Sequence, residues 1–360
     1  MPELPEVETV ARDLRPRIAG ATIAGATVLW PRTWAGDPAT ASEVLAGRRI
    51  ESVGRRGKLV LIGLSGDAAL TIHLKMTGQL FVVDRSVPLD PYVRFVIELD
   101  DGRDLRFRDI RKFGRVAFHV REPRSGELVR AEVGTASFAG LGPEPLEPEF
   151  TLRRFRSRLR ARRGRLKPLL LDQSFIAGVG NIYADEALWT ARLHPLRRTT
   201  SLRPADERHL YTAIRTILAE AVERRGSSID DYTAPDGDGS MQEQLLVYQR
   251  AGEDCPRCGR PIRRIVVGGR ATHFCSWCQR LPSADRAGTA AILRTARSPE
   301  RTGGRWTTLA GSADGVAPVG LSVDEAEEAR SASRAASRAR AERTRRAAAT
   351  RRAAARRSAG

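Results

Sequence analysis

The sequence predicts a multidomain α+β protein: an N-terminal β-sandwich with flanking helices, a C-terminal helical domain with a four-cysteine finger, and a basic tail. Three observations predict this. Seven short β-rich runs crowd into residues 21–120: Ala21–Leu29, Leu59–Leu64, Ala69–Leu74, Leu80–Val83, Val93–Leu99, Asp104–Phe107 and Val116–Val120. Several alternate with period two, and Gly or Pro turns separate them. The pattern then becomes helical from Phe150 to Arg224, and all four cysteines fall within residues 248–281.

At 360 residues and 41% hydrophobic, the chain can bury two ordinary cores. No apolar run approaches the length of a membrane-spanning helix, and no basic-then-apolar leader opens the sequence. No membrane partner is expected, and a cytoplasmic location is. The formal net charge of +18 points to a polyanionic partner. The tail alone does not make this charge: residues 285–360 contribute +8 and residues 1–284 contribute +10. Only Lys58, Lys75, Lys112 and Lys167 are lysines; the remaining cations are Arg.

Taken in order, residues 3–16 read as a helix closed by Pro16, with acids in its first turn. Its opening, Met1-Pro2-Glu3-Leu4-Pro5-Glu6, admits a second reading. Removal of Met1 frees the secondary amine of Pro2, and an α-amino group titrates near pH 8. Such an amine forms Schiff bases, and Glu3 and Glu6 stand beside it to move protons. Both readings hold together, because a helix here aims its positive end at whatever binds near Pro2. Residues 1–121 form the first domain, with a short helix at Ser42–Ala46, and the Pro/Gly/Glu-rich residues 122–147 form a linker. Residues 148–247 form the helical domain: Leu152–Arg163, a helix starting about Lys167, Ile182–Ala191 and Pro204–Arg224. Residues 226–247 are polar and Gly/Asp-rich, a candidate mobile loop. Residues 248–281 form the finger, and residues 285–360 an Arg/Ala-rich tail expected to be disordered.

Cys255-x2-Cys258 and Cys275-x2-Cys278 have the spacing of a four-thiolate zinc site. Disulfides are the alternative, disfavoured without a secretory signal. Four protein ligands leave no open position, so one Zn2+ there is structural. Between the pairs, Ile262–Phe274 reads as a hairpin with Gly268-Gly269 at its tip, carrying Arg263, Arg264 and Arg270. Ala177-Gly-Val-Gly-Asn181 precedes a helix; its backbone amides suit a phosphate, or simply a turn between helices. Asp109-Ile-Arg111-Lys112-Phe113-Gly114 puts cations and an aromatic on one short loop. Met76, like that loop, follows a strand. Apolar wedges and Arg fill the hole left by a flipped base; ordinary packing of Met76 and Phe113 is the alternative. The five histidines show no metal or triad spacing.

Taken together, these residues resemble the formamidopyrimidine-DNA glycosylases of the Fpg/Nei family. The matching segments are Met1-Pro-Glu-Leu-Pro-Glu-Val-Glu8, Gly57-Lys58, His73-Leu-Lys-Met-Thr-Gly78, Arg111-Lys-Phe-Gly114, Leu141-Gly-Pro-Glu-Pro-Leu146, Gly178-Val-Gly-Asn-Ile-Tyr-Ala184 and the cysteines, in family order across residues 1–281. The resemblance implies a helix–two-turn–helix element in the second domain and double-stranded DNA with oxidised bases in the cleft between the domains. It implies a bifunctional glycosylase/AP lyase for 8-oxoguanine and formamidopyrimidines, acting as a monomer. Pro2 would be the Schiff-base nucleophile, Glu3 the proton donor and Glu6 a supporting group. Lys58 and Arg270 would contact phosphate and donate protons in the eliminations. Met76, Arg111, Phe113, Lys167 and Asn181 would contact DNA, and the lesion-covering loop would lie within residues 228–247. An endonuclease VIII-like enzyme for oxidised pyrimidines fits less well: its usual start has Gly where Leu4 stands, and it lacks the filling set. A non-catalytic DNA-binding paralogue would have lost Pro2 or Glu3. This chain departs from many relatives at Lys75, where they carry Gly, and at Tyr92 and Arg94, where they often place His.

Overall fold

The computed structural model describes residues 1–122, 127–130, 138, 140–228 and 239–294. It opens with helix α1 (Leu4–Ile18). Val7, Val10, Ala11, Leu14 and Ile18 are spaced along one helical stripe and buried in the first apolar core. Full burial of a side chain of this size is worth about 1.5–3 kcal/mol. Pro16 does not close the helix, in contrast to the sequence-based expectation. It sits in the last turn, where only one backbone bond is lost, and the Ala19 N–H still donates to the Arg15 carbonyl at 3.1 Å.

Behind α1 stand two antiparallel sheets. Strands β1 (Ile23–Val28), β5 (Gly78–Asp84), β6 (Val93–Leu99) and β7 (Arg103–Asp109) form one, in the order β1-β6-β7-β5. Helix α2 (Thr40–Leu45) packs on β1. Strands β2 (Ile50–Arg56), β3 (Leu59–Leu64), β4 (Ala68–His73), β8 (Arg115–Arg121) and β9 (Leu128–Arg130) form the other, in that order. The apolar faces of both sheets share the core with α1. Two strands go beyond the sequence reading. In β2 the alternation is broken by Gly54 and a charged end. β9 lies within the expected linker and pairs with β8.

The second core gathers α3 (Leu152–Arg160), α4 (Leu166–Leu171), α5 (Asn181–Thr190) and α6 (Pro204–Glu223). Leu4 of α1 belongs to this core, not the first. The N-terminus therefore sits where the two cores meet. Strands β10 (Arg263–Val267) and β11 (Arg270–Phe274) form the hairpin between the cysteine pairs, turning at Gly268-Gly269. The expected tail boundary at 285 is too early. Asp285 is buried with its carboxylate accepting from Ser201 Oγ at 2.6 Å, and α7 (Ala290–Arg294) lays Ile292 and Leu293 against Ile265, Val267 and Phe274. One carboxylate and one apolar pair are too short a signal for periodicity to register. The rest of that segment, residues 295–360, lies outside the described residues.

Two buried histidines, His119 and His194, and the half-buried His73 make stability depend on acidity. Burial holds His119 and His194 down to about 4 and His73 to about 3, so the folded chain keeps them neutral. The unfolded chain takes up these protons as pH falls below about 6.5. Each histidine then removes about 1.4 kcal/mol per pH unit until its folded pKa is reached. Thermal melts at pH 7 and pH 5 are expected to show a marked loss of Tm, reduced in His194→Gln. Equal Tm values at both pH values would overturn this.

Candidate active site and nucleic-acid interface

α5 is the hub from which the site is built. It is apolar around most of its circumference, and each of its buried polar side chains holds a different element. Its N-terminal amides clasp Glu3, a residue only 2% exposed. Glu3 Oε2 accepts from the Gly180 N–H at 2.6 Å and Oε1 from the Ile182 N–H at 2.8 Å. The carboxylate thus lies at the positive end of a helix. Burial, the largest effect on Glu3, still raises its pKa above the ordinary carboxylate value, against the pull of Lys58 and of the Ile182 amide. A buried carboxyl with a raised pKa can carry a proton into chemistry near neutrality.

The glycines before α5 make this close approach possible. Gly178 has φ +85°, its carbonyl accepts from the Leu4 N–H at 3.0 Å, and a Cβ there would stand 2.7 Å from Leu4 Cβ. A Cβ on Gly180 would collide with the carboxyl carbon of Glu3. The Gly-Val-Gly turn is therefore a socket for residues 3 and 4.

Glu6 ties three segments together. Its Oε2 accepts from the Glu3 N–H at 2.8 Å. Its Oε1 accepts from the Ser227 N–H at 2.8 Å and from the Tyr183 hydroxyl at 2.5 Å. Ser227 begins the stem of the expected lesion-covering loop, and the Met241 N–H returns to the Gly226 carbonyl at 3.0 Å. Residues 229–238, the middle of that loop, lie outside the described residues. Pro2 is buried beside Glu3.

Lys58 is 9% exposed at the β2–β3 turn. Burial lowers its pKa, opposed by Glu3 and Glu6; Arg270 and Lys75 lower it further. The turn is anchored from the linker. Glu144 Oε1 accepts from the Gly57 N–H at 2.6 Å and pairs with Arg56 at 2.7 Å, while its Oε2 pairs with Arg55 at 2.7 Å. Leu141–Leu146 is thus a strut that seats Lys58.

Asn181 Nδ2 donates to the Ala271 carbonyl at 3.0 Å, which sets Asn181 one residue from Arg270 on the zinc hairpin. Arg263, Arg264 and Arg270 are exposed and make no ion pair among the described residues, leaving them free for an outside anion. Lys167 does not join them. It is fully buried, with Nζ on Asp185 at 2.6 Å and on the Asn181 carbonyl at 2.9 Å. Its expected direct contact with DNA is corrected on that ground: it supports Asn181 from behind.

The β4–β5 turn and the loop after β7 form one corner around the buried Asp109. Its Oδ1 accepts from the Thr77 hydroxyl at 2.5 Å and from the Arg111 N–H at 3.2 Å; its Oδ2 accepts from the Gly114 N–H at 2.7 Å. One carboxylate thereby ties the turn that carries Met76, which is half-buried, to the loop that carries Arg111 and Phe113. Phe113 is 48% exposed, with the Arg111 guanidinium 5.1 Å from its ring centre, so it is not a core residue. Lys75 and Lys112, on the same two turns, have φ +57° and +60°. Arg94 Nε donates to the Asp109 carbonyl at 2.9 Å, and Arg94 and Arg108 flank the Tyr92 ring, so these departures brace the same corner.

The four cysteine sulfurs lie within 4.8 Å of one another, with Cys258–Cys275 at 3.5 Å and Cys255–Cys278 at 4.0 Å, and none is in a disulfide. Four Zn–S bonds of about 2.3 Å around a tetrahedron put sulfurs about 3.8 Å apart. The residues fit one structural zinc. The metal closes the base of the hairpin that carries Arg270, and the Glu186 carboxylate holds the lead-in by accepting from the N–H groups of Leu246, Val247 and Tyr248. Zinc release is expected to weaken duplex binding by about tenfold or more, because folding of such fingers depends on the metal. Anisotropy titration after quantified chelation checks this, and unchanged affinity would refute it.

Sequence reasoning does not pick out Tyr183, Asp185, Glu186, Ser227, Asp109 or Glu144 as functional. Tyr183, Asp109 and Glu144 lie inside segments that the motifs cover, but nothing in one sequence shows where their side chains point.

Comparison with known proteins places these features. The family model for the Formamidopyrimidine-DNA glycosylase N-terminal domain matches residues 1–116, that for its H2TH domain matches 141–233, and that for the zinc finger found in FPG and IleRS matches 252–281. The chain is 48% identical to the formamidopyrimidine-DNA glycosylase of Chloroflexus aurantiacus over 282 residues, covering 78% of this chain and 98% of that one. To its counterpart in Symbiobacterium thermophilum it is 46% identical, covering 84% and 95%. The crystal structure of the MutM (FPG) protein from Thermus thermophilus aligns with a TM-score of 0.68 at 44% identity, covering 78% of this chain and all of that one. A Lactococcus lactis FPG mutant in complex with DNA containing Fapy-dG aligns with a TM-score of 0.69 at 36% identity, with the same coverage.

Proposed function

The chain belongs to the formamidopyrimidine-DNA glycosylase family, and we propose that it excises oxidised purines from duplex DNA and then cuts the strand at the abasic sugar. The observation that carries this is the Glu3 carboxylate, buried beside Pro2 at the junction of the two cores and clasped by the amides that open α5. It supplies a proton-bearing group next to an amine, in a region rich in cations.

In this reading Met1 is removed and the Pro2 nitrogen attacks C1′ of the damaged nucleotide. The N-glycosyl bond breaks, its electron pair leaves with the base, and a proton is delivered to the departing group or the sugar. The amine nitrogen loses its own proton, and the sugar ring opens as C1′–O4′ breaks with a proton delivered to O4′. Because a secondary amine has no second proton to lose, the C1′=N bond so formed is a cationic iminium. That cation acidifies the C2′ protons. Loss of one expels the 3′ phosphate by β-elimination, and a second elimination expels the 5′ phosphate. Glu3 handles protons at the sugar. Lys58 and Arg270 neutralise phosphates and supply protons to the leaving oxygens. Glu6 holds Glu3 to the stem of the loop. Arg111, Phe113 and Met76 fill the space left by the flipped nucleotide. Asn181 binds a phosphate at the α5 end, with Lys167 behind it. The zinc stays structural throughout.

Borohydride reduction of the iminium tests the reading. Duplexes with 8-oxoguanine are expected to give a covalent protein–DNA adduct. No adduct with that lesion or with an oxidised pyrimidine would remove the enzyme reading, and stronger trapping on the pyrimidine would overturn the purine preference.

A further inference from the structure

A second concentration of positive charge lies at the knuckle end of the zinc finger, away from the residues assigned to the lesion. There a cavity of about 600 Å3 opens between the start of α6, the turn after α5 and the outer cysteines Cys258 and Cys278. Arg192, Arg197, Arg203, Arg257 and Arg280 line it together with Trp277, against one acid, Asp206. Asp206 is already engaged by Arg197 at 2.8 Å and Arg203 at 3.2 Å. Arg192, Arg260 and Arg280 are exposed and make no ion pair among the described residues.

The aromatic groups are interleaved with these cations. Trp277 is 46% exposed, with the Arg260 guanidinium 3.4 Å and the Arg280 guanidinium 4.2 Å from its ring centre. Arg257 lies 3.9 Å from the Trp189 ring centre and donates to the Trp189 carbonyl at 3.0 Å. A guanidinium stacked on an indole keeps its charge and turns its N–H edges outward. Trp277 belongs to none of the four apolar clusters, and its side chain is not among the zinc ligands.

We propose that this cavity is a second nucleic-acid site, which takes an unpaired strand by its phosphates and stacks a base in the Arg260–Trp277–Arg280 layer. Basic grooves interleaved with aromatics bind single strands in this way, because an unpaired base exposes a face for stacking. A duplex keeps its bases inside and would offer no base face to stack on this layer. An acidic peptide would match the charge but not the indole. The five-residue strands β10 and β11 rise about 3.3 Å per residue, which sets the knuckles about 15 Å from the hairpin tip at Arg270. The two sites therefore hold different phosphates.

The test uses the full zinc-loaded chain, its cleft filled by a duplex with a non-cleavable abasic analogue. Short oligonucleotides carrying 5-iodouracil, one of DNA and one of RNA, are added, irradiated and mapped by peptide mass spectrometry. A crosslink within residues 276–280 is expected. It should fall by about tenfold or more in Arg192→Glu and in Arg280→Glu, with cleavage of lesion duplex unchanged within about twofold. The stronger of the two oligonucleotides identifies DNA or RNA as the ligand. Arg192 lies outside the finger, so its variant reports even if changes near the cysteines disturb zinc. Crosslinks confined to the cleft or to residues 302–360, or displacement by a poly-glutamate peptide but not by unlabelled single strand, would overturn the proposal.

Discussion

Pro2→Gly is expected to bind lesion-containing duplex about as tightly as the parent chain while strand cleavage falls by about a hundredfold or more. Glycine keeps an α-amine, so the loss reports what the pyrrolidine contributes: a secondary amine whose adduct is cationic without protonation, and a ring that fixes the nitrogen at the head of α1. A hundredfold loss corresponds to about 2.7 kcal/mol of transition-state stabilisation. Single-turnover cleavage, borohydride trapping and anisotropy binding on the same protein separate chemistry from affinity. Full cleavage by Pro2→Gly would refute the role given to the pyrrolidine, and cleavage without any borohydride-trapped adduct would refute the nucleophile assignment. Glu3→Gln is the informative partner. Its amide NH2 would face the N–H of Gly180 or of Ile182, a donor against a donor, in place of a carboxylate that accepts from both. That variant should lose activity and also about 1–3 kcal/mol of stability, whereas Pro2→Gly should melt like the parent. The acid role has a sign in pH as well. Burial raises the Glu3 pKa, so a step that needs its proton slows as pH rises through that value. Glu3→Gln should flatten this limb.

The cysteine spacing, the hairpin tip at Gly268-Gly269 and the strand alternation are legible in the sequence because each is a local, periodic signal. Leu59–Leu64 and Val93–Leu99 are legible to the residue. Pro2, Glu3 and Glu6 are legible as chemistry but not as geometry. No local pattern says that a carboxylate at position 3 is held by amides 177 and 179 residues further on. The glycines of Gly178-Val-Gly180 read as a phosphate turn or a plain connection. Their closest neighbours are Leu4 and Glu3, and the missing Cβ atoms matter for that contact. The same limit hides Asp109. In the sequence it only starts a cationic loop, whereas its side chain joins that loop to the Met76 turn, 32 residues earlier at Thr77. Lys167 misleads for a different reason: a retained lysine in an Arg-rich chain looks like a surface contact, and only burial shows otherwise.

That lysine gives the largest expected effect on stability. Lys167 Nζ and Asp185 Oδ1 are 2.6 Å apart with side chains 0% and 1% exposed, inside the helical core. Asp185 Oδ2 also accepts from the His273 N–H at 2.9 Å, so the pair fastens α4 to α5 and α5 to the zinc hairpin. Lys167→Met keeps the shape of the stem but leaves Asp185 as a buried charge without its cation. Breaking a buried pair this way costs about 3–5 kcal/mol. For a unit of this size each kcal/mol lowers Tm by about 2–4 °C, so a fall of about 10 °C is expected. Asp185→Asn added to Lys167→Met removes the stranded charge and should restore part of the loss. The double variant still lacks the Lys167 bond to the Asn181 carbonyl, so DNA binding through the Asn181–Arg270 side should remain weaker than in the parent. A lysine that simply touched DNA would behave in the opposite way. Its loss would leave Tm unchanged and reduce the salt dependence of binding by about one counterion. Melting and salt-titrated binding of the single and double variants decide between these outcomes, and an unchanged Tm in Lys167→Met would overturn the account of α5 as the hub of the site.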